Sequence, residues 1–252
     1  MLTFALLMAA CGGENSGKTT DKTTQVDSAY YQKNSSHASC TVKANLPAER
    51  LNQPVGEWLD EALGGIYPGD PTDIQGIVDF YGTSMTDSLE KFASEMEIPE
   101  EERTPMEQQV NMEYAYETDK YVTYTLSTYT DLGGAHPTAT EKGATFRKKD
   151  GRRVGWDIIA GHDAYNFQQL LKKHLKEYFN AGTDEELVDM LADIDPDNIP
   201  LPHTPPYFLE DGIVMIYQQY EIAPYAAGMP NALFTYDELK PMLTGWAKRM
   251  IE

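Results

Sequence analysis

Residues 110–126 read VNMEYAYETDKYVTYTL, and this stretch decides the fold class. On both sides of a central Thr118-Asp119-Lys120 turn, apolar or aromatic side chains alternate with other residues, which is the period of a strand with one buried face. The pattern therefore predicts an antiparallel β-hairpin. The alternating residues are Val110, Met112, Tyr114 and Tyr116 before the turn, and Val122, Tyr124 and Leu126 after it.

The sequence around the hairpin predicts helices and further strands in separate runs. A helix is expected to begin at Asp70, as N-cap, with Pro71 in its first turn and apolar residues at helical spacing as far as Met96. Such grouping, without strict alternation of strand and helix, indicates an α+β fold: a mostly antiparallel sheet packed with helices, in two small subdomains. The other expected helices are 54–63, 167–179, a short one after Thr183 and 237–250; the other expected strands are 138–147, 152–156, 207–209, 213–219 and 232–236.

The composition limits the classes of function. The 252 residues carry a formal net charge of -20, which argues against a nucleic-acid binder because phosphate contacts need concentrated Lys and Arg. Acidic residues dominate from Glu57 to Asp119, whereas basic residues outnumber acidic ones from Glu141 to Lys176. These two regions could face different partners or each other, or could be solvated surfaces.

The N-terminal residues predict a lipid anchor. Residues 1–10 read MLTFALLMAA, an apolar run that is too short to span a bilayer and ends in small residues before Cys11. This pattern resembles the signal peptide of bacterial lipoproteins, in which the cysteine after the cleavage site is acylated. We therefore expect residues 1–10 to be removed, Cys11 to hold the protein to a membrane of the cell envelope, and the polar residues 11–37 to be a flexible tether. A buried N-terminal segment is the alternative.

Two irregular segments carry the candidate ligand-binding residues. Residues 129–137 read YTDLGGAHP and residues 220–228 read YEIAPYAAG, so glycine and proline restrict the backbone around aromatic and imidazole groups. The same residues could instead serve only to fix two loop conformations at the end of the sheet. The candidates for ligand contact are Tyr129, Gly133, Gly134, His136, Tyr220 and Tyr225.

Those two segments, with the FRKKDGRRVGWDII stretch at residues 146–159, resemble a domain family of unknown function. That family occurs at the C-terminus of the anti-sigma factor RsiV and in the extracellular part of the peptidoglycan deacetylase PdaC. The similarity covers about residues 105–252, and residues 38–104 are more weakly similar to the companion domain that precedes it. The resemblance implies an envelope-exposed α+β binding module, and in RsiV this part binds lysozyme.

The sequence favours a protein without catalytic activity, cofactor or metal. It contains no G-x-S-x-G or H-E-x-x-H motif, and its histidines lack metal-ligand spacing. We expect an envelope lipoprotein that binds a lysozyme-like protein or peptidoglycan and contacts the membrane only through Cys11. The alternative is a hydrolase of cell-wall glycan, with His136 and an acidic residue such as Asp131 as candidate acid and base. A structural envelope protein with neither property is a third reading.

Overall fold

The structure, a computed structural model, describes residues 27–96, 105–160 and 164–252. It is a mixed α+β fold with two sheets and six α-helices in these ranges, which confirms the predicted fold class. Within the same ranges, no helix is both long enough and apolar enough to cross a membrane. The predicted signal peptide and Cys11 lie outside the described residues.

The first part of the chain forms a five-stranded sheet in the order β1-β2-β3-β4-β5. Neighbouring strands are antiparallel, except that β2 and β3 run parallel because two helices connect them. The predicted hairpin is the β3–β4 pair. The elements are β1 Ser28–Asn34, β2 Ala38–Asn45, α1 Asn52–Leu63, α2 Ile74–Glu95, β3 Met106–Glu117, β4 Tyr121–Asp131 and β5 Thr138–Arg147.

The second part of the chain forms a smaller antiparallel sheet in the order β6-β7-β8, packed with helices. Its helix α3 follows the apolar spacing seen in the sequence and buries Phe167, Leu171 and Leu175. The elements are α3 Ala164–Phe179, α4 Asp184–Met190, β6 Tyr207–Phe208, β7 Gly212–Ile216, β8 Asn231–Thr235, α5 Tyr236–Leu239 and α6 Gly245–Ile251.

The two sheets have separate hydrophobic cores, but the division does not fall at residue 104 as the sequence suggested. One core joins α1 and α2 to all five strands of the first sheet, and the other collects residues from Val154 onward, together with Tyr121. Strands β2 and β3 lie on opposite sides of the expected boundary and pair with each other from Ala38↔Met106 to Ala44↔Met112. A cut there would divide a sheet that shares one core.

The predicted tether, residues 11–37, does not extend as far as residue 37. Residues 28–34, assigned to the tether, form β1 and pair with β2 along its full length. Only Ala29 of β1 is buried, so the strand lacks the apolar alternation by which β-strands are recognised in a sequence. Backbone pairing with β2 and contacts with α2, among them the hydrogen bond between the Tyr31 hydroxyl and Thr86 at 3.1 Å, hold this strand in place.

Three local predictions are corrected by the structure. Helix α2 is capped by Asp73, which accepts from the Gly76 N–H at 2.9 Å, because the side chain of Asp70 instead accepts from Thr72 at 2.9 Å in a preceding turn. The expected closing helix is broken into α5, a 3-10 turn that contains Pro241, and α6, because Leu243 and Thr244 have an extended backbone. The expected strand 152–156 is reduced to one bridge, between Phe146 and Arg153.

Cys40 has the buried position expected from its neighbours. Its thiol is fully buried in β2 and lies 3.7 Å from the carbonyl oxygen of Gly82. Burial raises the pKa of the Cys40 thiol, so the thiolate needed for reactivity is disfavoured. Cys40 is therefore a small core residue.

A closed ring of hydrogen bonds joins the two sheets. The Phe208 N–H donates to Thr145 Oγ1 at 2.8 Å, and Thr123 Oγ1 donates to the Phe208 carbonyl at 2.7 Å. The two hydroxyl oxygens are 2.7 Å apart, and the Thr123 proton is already used, so the Thr145 hydroxyl donates to Thr123. Both threonines are completely buried. We call this set the threonine ring.

Candidate functional site

The two candidate segments meet at the end of the β4–β5 hairpin. The segment that follows β7 is held against the edge of β5 by two glutamine side chains, which bond to its backbone as a neighbouring strand would. Gln219 Oε1 accepts from the Ala139 N–H at 3.0 Å, and Gln218 bonds to both the N–H and the carbonyl of Glu141, at 3.1 and 2.7 Å. Residues more than 70 positions apart are thereby brought together.

The loop 132–137 begins with a turn stabilised by Asp131. The Asp131 carboxylate accepts from the Gly133 N–H at 2.8 Å, and Gly133 has a φ of 73°, a conformation that favours glycine. Gly134 has no positive φ, and no atom lies within 4 Å of a Cβ added at either glycine. The two glycines therefore leave open space in front of the loop.

His136 contacts both tyrosines of the other segment. Its ring stacks on the ring of Tyr225, with 3.8 Å between centroids and 21° between planes. Its Nδ1 lies 3.3 Å from the carbonyl oxygen of Pro137 and its Nε2 lies 3.2 Å from the hydroxyl of Tyr220. A carbonyl can only accept, so we assign the neutral ring's proton to Nδ1 and let Nε2 accept from Tyr220.

Tyr225 is fixed from both sides. Its hydroxyl donates to the same Pro137 carbonyl at 2.9 Å, and its backbone starts the short 3-10 helix Tyr225–Ala227. The Tyr220 ring centroid is 5.8 Å from that of Tyr225, so the three rings form one cluster. We call His136, Tyr220 and Tyr225 the aromatic surface.

The tyrosine that is most exposed in this cluster sits on a tight turn. Tyr220 has a φ of 67°, unusual for a residue with a side chain, and 58% of its surface is accessible. The turn is held by Glu221, whose carboxylate accepts from the N–H groups of Gln218 and His203, both at 2.7 Å. Sequence reasoning did not single out Glu221, since one carboxylate among many carries no distinguishing pattern.

Tyr129 lies beside this cluster on β4 and has a separate environment. Burial, and then the carboxylates of Asp131 and Glu107, raise the pKa of its phenol, so the hydroxyl keeps its proton. Tyr129 pairs with Ala139 near the end of the hairpin, two residues beyond Pro137, on which both His136 and Tyr225 make a contact. The structure thus brings all six candidate residues to one end of the hairpin, with His136, Tyr220 and Tyr225 in direct contact.

This geometry suits contact with a ligand at the surface. Cavities of about 760, 370 and 300 Å³ are lined by other residues. No cluster of His, Cys, Asp or Glu that could hold a metal ion occurs in the described ranges. Asp131 and His136, the acid and base of the hydrolase alternative, are each engaged by backbone groups of their own loop. Exposed rings that are fixed in place offer flat apolar area at low cost in side-chain entropy.

Comparison with known proteins gives a family of unknown function. Residues 157–237 match the family described as "Protein of unknown function (DUF3298)". This range includes Tyr220 and Tyr225 but not the loop that carries His136. No curated protein matches the chain.

Two crystal structures are similar to the chain over most of its length. A member of the DUF3298 family from Bacteroides fragilis NCTC 9343 is 18% identical, covers 90% of this chain and 97% of its own, and has a TM-score of 0.66. A DUF3298 family protein from Pseudomonas aeruginosa PAO1 is 13% identical, and the match covers 88% of this chain and 96% of that protein's chain, with a TM-score of 0.60. At these identities, the likeness concerns the fold.

Proposed function

We propose that the protein is a non-catalytic lipoprotein of the bacterial envelope that binds a lysozyme-like protein or a cell-wall ligand through the aromatic surface. The observation that carries the proposal is the contact of His136, Tyr220 and Tyr225, three rings from distant segments that are fixed together at an exposed corner. Tyrosine is one of the residue types that are enriched among the few that contribute most of the binding energy in protein interfaces.

Charge favours a basic protein over a neutral glycan as the ligand. The chain has a net charge of -20, and Glu107 and Asp131 lie close enough to Tyr129 to shift its pKa. Lysozyme is basic, so its approach to such a surface would be accelerated by electrostatic attraction. The resemblance of residues 105–252 to the lysozyme-binding part of RsiV supports the same choice.

The ligand is tested by replacing the rings of the aromatic surface. We expect His136→Ala and Tyr220→Ala each to weaken binding of lysozyme by about tenfold, as calorimetry would measure, because each removes a central contact. Peptidoglycan sedimentation with the same variants tests the cell-wall ligand. Tyr220→Phe keeps the ring and removes the hydrogen bond from its hydroxyl to His136. Its affinity therefore shows whether binding needs only the ring or also the hydrogen bond that orients His136.

The matched control is Tyr165→Ala, which removes a tyrosine that is 75% exposed on α3. The affinity of this variant for lysozyme and for peptidoglycan should equal that of the unchanged protein. Equal affinities of all variants for both ligands would contradict the proposal. Release of muropeptides by the purified protein, abolished in His136→Ala, would instead support the hydrolase.

The anchor is tested separately at Cys11. We expect the mature protein to begin at an acylated Cys11, detected by mass spectrometry, and to fractionate with membranes. Cys11→Ser should move the protein to the soluble fraction, whereas Cys40→Ser should leave it with the membranes because Cys40 is buried. An unmodified N-terminus in the membrane fraction would contradict the anchor.

A further inference from the structure

A basic cavity of about 370 Å³ lies at the other end of the β4–β5 hairpin. The turn between β3 and β4, the end of β5, the 3-10 helix Glu49–Leu51 and α6 enclose it. Four separate segments of the chain thus bring cations to one place. These cations are Arg50, Lys120, Arg147, Lys148, Lys149 and Arg249.

Four of the six cations form no ion pair among the described residues. Arg147 is paired with Asp150 at 2.5 Å and Lys148 with Glu117. Among the described residues, no carboxylate forms an ion pair with the other four cations of the cavity, and its one acidic lining residue is Asp119. A concentration of unpaired cations in a chain of net charge -20 creates a local site of positive potential.

The cavity wall is ordered by contacts that leave its cations available. Lys120 Nζ donates to the carbonyl oxygen of Arg249 at 2.9 Å, which fixes the end of α6 against the β3–β4 turn. The indole of Trp246 also lines the cavity, and the Arg152 guanidinium lies 4.4 Å from its ring centroid. This cation–π contact holds the indole in the wall.

We propose that this basic cavity binds a phosphate-bearing ligand. A phosphate carries up to two negative charges on oxygens that point in several directions, so cations from four segments can contact it at once. The guanidinium groups of Arg50 and Arg249 offer paired donors that match phosphate oxygens. The volume falls within the range of small-molecule sites and exceeds that of one phosphate, so a phosphate ester fits better than the inorganic ion.

The cavity is independent of the aromatic surface. Tyr121 at the start of β4 pairs with Arg147 near the cavity, and Thr130 at its end pairs with Thr138 near His136. At about 3.3 Å per residue, the eleven residues of β4 separate the two sites by about 30 Å. Binding at one site can therefore be tested without disturbing the other.

The test titrates the purified protein with free phosphates and with lipid headgroups. The free probes are inorganic phosphate, pyrophosphate and glycerol 3-phosphate, and the lipid probes are vesicles of phosphatidylcholine with and without phosphatidylglycerol. We expect saturable binding that changes the fluorescence of Trp246, weakens as salt is added, and is tighter for glycerol 3-phosphate than for phosphate. Trp246→Phe should abolish the fluorescence change while calorimetry still detects binding.

Two variants locate the site. Arg50→Gln and Lys149→Gln should each weaken binding by about tenfold, because each removes a charged donor to the ligand. Both side chains are exposed and unpaired, so the fold should be unaffected. The matched control Lys91→Gln removes an exposed lysine of α2, which pairs with Glu95 at 4.0 Å, and should not change the affinity.

Each outcome decides the proposal. Saturable binding of glycerol 3-phosphate supports a soluble phosphate ester as the ligand, and binding only to vesicles with phosphatidylglycerol supports a lipid headgroup. In either case, Lys149→Gln must weaken the binding that is observed. No binding to any probe at millimolar concentration overturns the proposal, and so does an equal effect of Lys91→Gln and Lys149→Gln. His136→Ala should leave this binding unchanged.

Discussion

We expect the Thr145→Val substitution to lower the free energy of unfolding by about 3 kcal/mol. This corresponds to a change of about a hundredfold in the folding equilibrium constant. Valine matches threonine in shape but cannot accept the Phe208 N–H, which then has no partner in the threonine ring. Thr123 and Thr145 are completely buried, so water does not replace the lost hydroxyl. Denaturant unfolding followed by circular dichroism measures the change.

A second threonine pair on the same two strands provides the control. Thr128 Oγ1 and Thr140 Oγ1 are also 2.7 Å apart across β4 and β5, but within the described part of the chain this half-buried pair forms no hydrogen bond to the second sheet. Thr140→Val should therefore cost less than about 1 kcal/mol. Equal losses for Thr140→Val and Thr145→Val would show that the threonine ring adds nothing beyond an ordinary cross-strand pair.

Gly56→Ala is expected to destabilise the protein by about 3 kcal/mol, although alanine normally favours a helix over glycine. Gly56 lies in α1, where an added Cβ would be 1.8 Å from the carbonyl oxygen of Pro71. A backbone atom cannot rotate away as a side chain can, so α1 would have to separate from the segment that precedes α2. Thermal unfolding would report the loss as a lower midpoint.

Gly245→Ala is the matched substitution. Gly245 also lies in a helix, at the start of α6, and the nearest atom to an added Cβ is 3.7 Å away on the flexible side chain of Arg249. Alanine there should leave stability unchanged or raise it by up to about 1 kcal/mol. The two variants are thus expected to change stability in different directions, and a gain at Gly56 would refute the close contact.

Much of the fold follows from residue patterns that the sequence shows directly. The alternation around Thr118-Asp119-Lys120 predicted the β3–β4 hairpin, and the GGAHP and EIAPY segments were expected to form two shaped loops. Both patterns are local, so neighbouring residues suffice to read them. Strand β1 was missed because it is an edge strand with one buried side chain.

The rest depends on contacts between distant residues. Nothing in the local sequence separates Thr123 and Thr145, which complete the threonine ring, from Thr128 and Thr140, which do not. The basic region at 147–149 was visible in the sequence, but the cavity also needs Arg50 and Arg249, which lie about 100 residues away on either side. Such sites arise only when the chain has folded.

Under the proposed anchoring at Cys11, the register of the first sheet determines which of the two sites lies nearer the point of attachment. Ser28, the first residue of β1, pairs with Asn45, which lies level with Tyr114 and Tyr124 in the half of the sheet that carries the basic cavity. Asn34, at the other end of β1, lies in the row of Ser39, Glu107 and Asp131, beside the aromatic surface. In the proposed lipoprotein, the tether would therefore join the body at the half of the sheet that carries the basic cavity, and the three rings would lie at the half farther from the point of attachment.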